Sequence, residues 1–460
     1  MPGFHFQSEV PAPVEEVFAW HGRPGAFHRL IPPWQTCRIL EGDPTMTTGR
    51  RLILELRKGP LKRRWTVEIT GVDEGRGFRD EQREGPFASW IHAHLFSPAS
   101  GGGSIIEDDL EYELPMGSVG RAFAGEYVHR QLWRTFRHRH ETTRNDLIRH
   151  GRFASRPRLR AAISGAGGLI GSRMRRFLES GGHEVVRLVR RTPAGAGEIP
   201  WDPARGVLSA EALEGFDAVV HLSGASIGSG RWTLSRKRAL RDSRVLSTRL
   251  LAETLARLKS RPRVLIVSSA VGYYGDRGNE PVTEASRPGE GFLSDLCKAW
   301  EAAAAPARDT GIRVVHLRTG IVLSGSGGAL ARMLPAFKAG VAGPIGSGRQ
   351  VMSWIGHEDM VGAIHHLLFS EDVAGPVNVT SPQPVTNAEF TETLARVLRR
   401  PALLPLPSPA VKAIFGEMGK DLLLGSARVL PARLEETGFP FLHPDLESAL
   451  RVELGRWPGR

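Results

Sequence analysis

A chain of 460 residues is too long for one ordinary core, so two or three domains are expected, and 41% hydrophobic with 24% charged residues is a globular balance. The formal net charge of +12 is spread along the sequence without a nucleic-acid-binding motif, which predicts a solvated basic surface and no nucleic-acid partner. Cys37 and Cys297 stand far apart in no metal-ligand spacing, and neither a signal-like start nor an apolar run of bilayer length is present, so the expectation is a cytoplasmic protein with no disulfide framework, zinc site or membrane partner.

In chain order, Phe4–Val10 alternates as a strand, Pro13–Trp20 forms an amphipathic helix and Gly25–Leu30 a second short one. Strand-like runs follow at Gln35–Leu40, Arg51–Arg57, Trp65–Val72, Gly77–Arg83, Trp90–Phe96 and Ile105–Leu114, punctuated by Gly, Pro and Asp as an antiparallel meander requires. Gly120–His150 reads as one long helix with Phe123, Tyr127, Leu132, Phe136, Leu147 and Ile148 on its apolar face. Among His21, His28, His92 and His94, the pair His92 and His94 shares one strand face, as metal ligands would. No carboxylate or cysteine partner is evident beside them in sequence, so structural histidines and no metal are expected.

A strand, two short helices, a curved sheet and a closing helix describe a helix-grip fold. The stretches AWHGRPGAFHRLIPPW (19–34), FRDEQREGPFASWIHAHLF (78–96) and DLEYELPMG (109–117) resemble the START-like, polyketide-cyclase-like superfamily. The resemblance implies a domain over residues 1–150 with an apolar cavity and a hydrophobic or aromatic ligand.

Residues 151–160 are basic and proline-containing, and read as a linker. Then comes AAISGAGGLIG (161–171): a short apolar run, a glycine turn, and helix-like spacing through Ile170, Met174, Phe177 and Leu178. Strand, glycine turn and helix in that order give the G-x-x-G-x-x-G of Gly165, Gly168 and Gly171 the meaning of a dinucleotide fingerprint. Gly165, Gly167, Gly168, Leu169, Ile170 and Gly171 are therefore expected to hold a pyrophosphate at the helix N-terminus. A second strand, His183–Val189, ends at Arg190 with no acid where a ribose 2′-hydroxyl would be read, so NADP(H) is favoured over NAD(H). Phe216–Leu222 is a further buried strand closing at Leu222, Ser223 and Gly224, where the cofactor should lie. A helix over Trp232–Leu258, with Leu240, Leu246, Leu250, Leu251, Leu255 and Leu258 inward, and strands Arg263–Ser269 and Ile312–Leu317 complete a parallel doubly wound sheet.

The signatures SGAGGLIGS (164–172), DAVVHLSGASI (217–227), RDSRVLSTRLL (241–251), SSAVGYYG (268–275), LRTGIVLSGSGGAL (317–330) and PIGSGRQVMSWIGHEDMV (344–361) resemble an extended short-chain dehydrogenase/reductase of the NAD-dependent epimerase/dehydratase group, in the subfamily named "epimerase family protein". The resemblance spans 161–460, with residues 405–455 as that subfamily's added C-terminal segment. It implies a two-domain protein: an α+β helix-grip domain, then an α/β Rossmann-type doubly wound parallel sheet with a small C-terminal substrate region.

Such enzymes use a tyrosine, a lysine four residues later and a serine. Lys298 takes the lysine position, where the family's residue also grips the nicotinamide ribose, but Ser294 stands where the tyrosine belongs. Ser269 is the serine candidate. Only Tyr273 and Tyr274, in the serine loop, remain as proton donors in this half. Two readings stay open: an NADP(H)-dependent oxidoreductase or epimerase acting on a small carbonyl or hydroxyl substrate, sugar nucleotides included, or a non-catalytic NADPH-binding regulator. Arg231, Arg318 and Arg349 are candidates for an anionic substrate group, and a homo-oligomer is compatible with the resemblance.

Overall fold

The structure is a computed structural model and describes residues 3–458. Its described residues form two compact units: 3–158 with 176–183 and 454–458, and 159–175 with 184–453. No helix among the described residues is long and apolar enough to cross a membrane.

The first unit opens with strand β1 (Gly3–Val10) and helices α1 (Val14–Gly22) and α2 (Ala26–Arg29). Strands β2 (Thr36–Glu41), β3 (Arg51–Lys58), β4 (Leu61–Asp73), β5 (Gly77–Glu84), β6 (Ser89–Pro98) and β7 (Ser104–Glu113) follow, then helix α3 (Gly117–Gly151). The seven strands form one antiparallel sheet in the order β1-β7-β6-β5-β4-β3-β2. Alternation drives it: on β7, Ile106, Leu110 and Tyr112 are buried and their neighbours are not.

Helix α3 departs from the expected apolar face. Leu132, Phe136 and Leu147 are buried, but Phe123 and Tyr127 lie exposed. Past Phe136 the buried stripe turns polar, with His138, His140, Thr142, Thr143 and Asp146 inward. Partners there make this tolerable: Arg29 grips Asp146 with two hydrogen bonds of 2.8 and 2.5 Å, both side chains fully buried. Residues 454–458 also belong to this unit. Trp457 is buried, packs edge-on to Trp34 and Trp133, and lies under the Arg137 guanidinium, while Arg134 donates to the carbonyls of Leu454 and Gly455.

The second unit is built on an eight-stranded sheet. Its strands β8 (Arg160–Ser164), β9 (Glu184–Val189), β10 (Glu198–Asp202), β11 (Val207–Leu208), β12 (Ala218–His221) and β13 (Val264–Ala270) are joined by Arg313–Thr319 and Gly375–Val379, in the order β11-β10-β9-β8-β12-β13 and then those two. All pairs are parallel except β10 with β11. Ala161–Ile163, Ala218–Val220 and Val264–Val267 are wholly buried, as a parallel sheet covered on both faces demands. Helix α4 (Leu169–Ser180) follows β8, α5 (Leu234–Ala256) follows β12, and α6 (Phe292–Ala302) follows β13. On α5, Leu240, Leu251 and Leu255 are buried, but Leu246 is exposed, because Arg244, Ser247 and Thr248 take the inward positions beside it.

The chain leaves β8 toward β9 on one side and returns to β12 on the other. That reversal opens a crevice at the carboxyl ends of β8 and β12, where open α/β sheets bind ligands. Segments beyond residue 430 are tied to the helix His357–Phe369 by Asp359, whose carboxylate accepts the amides of Leu442 and His443 at 2.8 and 3.0 Å.

Candidate functional site

At the crevice, the chain leaves β8 through Gly165, whose φ of +71° only glycine adopts freely. A Cβ there would stand 2.8 Å from the carbonyl carbon of Leu222, so the glycine turn and the end of β12 touch backbone to backbone. A Cβ on Gly171 would collide with the Gly165 carbonyl, which is how the first turn of α4 packs against the strand. The Gly168 amide donates to Gly165 at 2.9 Å, and Gly167 and Gly168 are exposed. This leaves a bare backbone and a helix N-terminus facing the crevice, with Leu169 and Ile170 half-buried behind it. A dinucleotide pyrophosphate fits such a turn, and a side chain at Gly165 or Gly171 would close it.

Supports surround the turn. His221 on β12 bridges Ser164 Oγ (2.6 Å) and Ser247 Oγ (3.1 Å), and burial pushes its imidazole down to about 3, so it stays neutral. His357 Nε2 donates to the Leu169 carbonyl at 3.1 Å. Leu222 and Ser223 are half-buried and Gly224 exposed, with Arg244 directly against Gly224. Sequence reasoning missed Arg244. Its guanidinium is buried, donates to the carbonyls of Leu240 and Ala225, pairs with no carboxylate among the described residues, and is pushed down to about 10 by desolvation. Two residues beyond β9, Arg191 is spent on Glu198, which also binds Arg187. Arg190 is exposed and has no ion pair among the described residues.

The candidate catalytic residues fall into different settings. Ser269 is buried and donates to Glu301 Oε1 at 2.7 Å. Arg318 clamps the same carboxylate with two bonds of 2.9 Å, stacks 3.4 Å over the Tyr273 ring and donates to the Tyr274 hydroxyl at 3.1 Å. This corrects the expectation that Arg318 meets an anionic substrate: it is 3% exposed, and its charge is already neutralised by Glu301. Glu301, a second residue missed from sequence, is the hub of this cluster. Tyr274 is fully buried, its hydroxyl donating to Asn378 Oδ1 at 2.7 Å, and desolvation raises its phenol. Tyr273 is half-buried. Ser294 is buried and donates to the carbonyls of Gly289 (2.7 Å) and Tyr273 (2.9 Å), so it pins the loop that carries both tyrosines. Lys298 lies exposed on α6, 2.7 Å from Asp295. Arg231 donates to the Ala413 carbonyl, and Arg349 is exposed.

In the first unit, His92 and His94 do have carboxylate partners, contrary to the reading of the local sequence. The register of β5, β6 and β7 sets Asp80 opposite His92 and Asp108 opposite His94. The space between sheet and α3, expected to be apolar, carries this polar group at that level.

Residues 161–380 match the NAD dependent epimerase/dehydratase family, residues 10–139 the family of polyketide cyclase / dehydrase and lipid transport proteins, and residues 406–452 a domain of unknown function, DUF1731. The epimerase family protein Mb2239 of Mycobacterium bovis is 46% identical over 289 residues, covering 63% of this chain and 95% of the relative. A solved structure described as a nucleoside-diphosphate sugar epimerase from Corynebacterium glutamicum is 32% identical, with a TM-score of 0.81 over 98% of this chain and 90% of that one. The human epimerase family protein SDR39U1, solved with NADPH, is 35% identical, with a TM-score of 0.60 over 64% of this chain and 99% of its own.

Proposed function

Because the chain belongs to the NAD-dependent epimerase/dehydratase family, we propose that its second unit binds NADP(H) and acts with it on a small substrate carrying a carbonyl or hydroxyl group. The observation that carries this reading is the glycine turn closed against Leu222 and Ser223, with Arg190, exposed and in no ion pair among the described residues, just past the end of β9. Arg190 suits a ribose 2′-phosphate. The buried Arg244 beside Gly224 adds positive potential at the same crevice. The NADPH held by the human relative supports the choice of nucleotide, and the name of the corynebacterial protein supports a sugar nucleotide as substrate class.

Bound nicotinamide supplies hydride exchange. The chain supplies the rest. Tyr273 is the group proposed to exchange a proton with the substrate oxygen, since Tyr274 is sealed between Asn378 and Arg318. Ser269, whose own proton goes to Glu301, keeps lone pairs that accept from a substrate hydroxyl. Lys298, freed from Asp295, is proposed to hold the ribose.

A second reading, a nucleotide-dependent regulator without redox chemistry, is favoured by one observation: Ser294 fills the usual tyrosine position with a loop anchor. Titration of the protein's fluorescence with NADPH and NADH, on wild type and Arg190→Glu, tests the common premise. NADPH is expected to bind more tightly, and the charge reversal to weaken it at least about tenfold while leaving NADH nearly unchanged. Equal loss for both nucleotides would remove the 2′-phosphate role. Turnover with any substrate removes the regulator reading, and Tyr273→Phe then tests the proton donor: unchanged turnover excludes the tyrosine.

A further inference from the structure

The group at the centre of the first unit is organised about one point. Asp80 Oδ2 lies 3.3 Å from His92 Nδ1 and 3.1 Å from His94 Nε2, and the three side chains converge from adjacent strands of one sheet face. Ligand atoms around an ion at about 2.0–2.1 Å stand roughly 2.8–3.4 Å from one another, from octahedral to tetrahedral. Both Asp80–histidine separations fall in that interval.

The far sides of the rings are equally ordered. His92 Nε2 and His94 Nδ1 both meet Asp108 Oδ1, each at 2.8 Å. Asp108 Oδ2 in turn takes His140 Nε2 at 2.6 Å, and His140 Nδ1 meets Ser8 Oγ at 2.7 Å. One carboxylate therefore fixes the orientation of both imidazoles and leaves their other nitrogens facing Asp80. A metal-binding histidine commonly gives its second nitrogen to such a carboxylate. Apolar rings hold the pair in place: Phe78 stacks on His94 at 4.0 Å, and Phe136 packs edge-on to His92 at 5.2 Å. An ordinary ion-pair network would match each carboxylate to its own ring. Here one oxygen of each carboxylate serves both rings.

We propose that Asp80, His92 and His94 form a binding site for one divalent transition-metal ion in the first unit. Two imidazoles and one carboxylate suit zinc, ferrous iron or cobalt and disfavour magnesium or calcium, which take all-oxygen sets. The side chains of Asp80 and His94 keep 13 and 10% of their exposure against 2% for His92, so the open coordination position lies on the Asp80–His94 edge. A water molecule or an oxygen-bearing ligand completes the ion there.

The test uses the full-length chain, stripped with a chelator and desalted, then titrated with cobalt(II) alone. Visible d–d absorption saturating at one equivalent per chain, and displaced by zinc, is expected. Asp80→Asn and His94→Gln should each weaken cobalt binding at least about a hundredfold, and Asp108→Asn by about ten- to a hundredfold, while His5→Gln on the surface leaves it unchanged. Near-UV circular dichroism of each metal-free variant checks the fold. If His94→Gln disturbs it, the near-isosteric Asp80→Asn carries the test. Absence of saturable absorption in wild type, or wild-type affinity in a folded Asp80→Asn protein, overturns the site.

Discussion

Glu301 decides how the residues around the crevice are held. It accepts from Ser269 and from both arms of Arg318, and Arg318 is almost wholly buried. Removing one partner of a buried ion pair strands the other charge, which costs about 3–5 kcal/mol. Glu301→Gln should therefore lower the unfolding free energy by about that amount in urea denaturation, and adding Arg318→Gln should restore part of it, since the stranded charge goes too. A double variant as unstable as the sum of the two singles would mean that the pair is uncoupled. Little of this was legible beforehand. Arg318 could be seen as a cation but not as a neutralised one, because Glu301 lies on a helix seventeen residues upstream and only the folded sheet brings them together. The glycine turn was legible because its meaning is local: a strand, a turn and a helix within a dozen residues. The partners of His92 and His94 were not. Asp80 and Asp108 sit on neighbouring strands, and a register slip of one residue would have turned them to the opposite face.

At the scale of elements, the helix Leu446–Leu454 is fastened through Glu453, whose Oε2 accepts the Gly325 amide at 3.0 Å. Burial pushes this carboxyl up from about 4.5 to about 7. The folded state thus holds a proton that the unfolded chain gives up between those values. Stability from this group is full below the lower value and declines as pH rises through the upper one, by about 3 kcal/mol in all. Glu453→Gln keeps the acceptor for Gly325 and removes the titration. The pH dependence of unfolding between about 5 and 8 should flatten in this variant, and an unaltered profile would exclude Glu453 as its source. Burial of His221 acts in the opposite sense: below its ordinary value the unfolded chain gains a proton that the folded one refuses, so acid weakens the sheet. Helix α3 shows why periodicity alone misplaces a face. Phe123 and Tyr127 match the apolar spacing, yet the far end of the helix buries His140 and Asp146, whose partners no helical pattern reveals.

For the whole molecule, every proposed cofactor contact, from Gly165 to Lys298, comes from the second unit, while the His–Asp group belongs wholly to the first. The two are built from interleaved stretches of chain, and the last residues count with the first unit. Trp457 fills a gap beside Trp34 and Trp133, and emptying a site of that size typically costs about 3–5 kcal/mol. Deleting 454–460 should accordingly lower the stability of the first unit, read as loss of cobalt retention and of its unfolding midpoint, and leave NADPH affinity within about twofold. A truncated protein that lost NADPH binding and kept the first unit intact would reverse that assignment. In genetic terms, a frameshift that garbles residues 454–458 is then a lesion of the amino-terminal domain, although it lies far downstream of it. A tag inserted beside Trp457, remote in sequence from the amino-terminal fold, is joined directly to that fold.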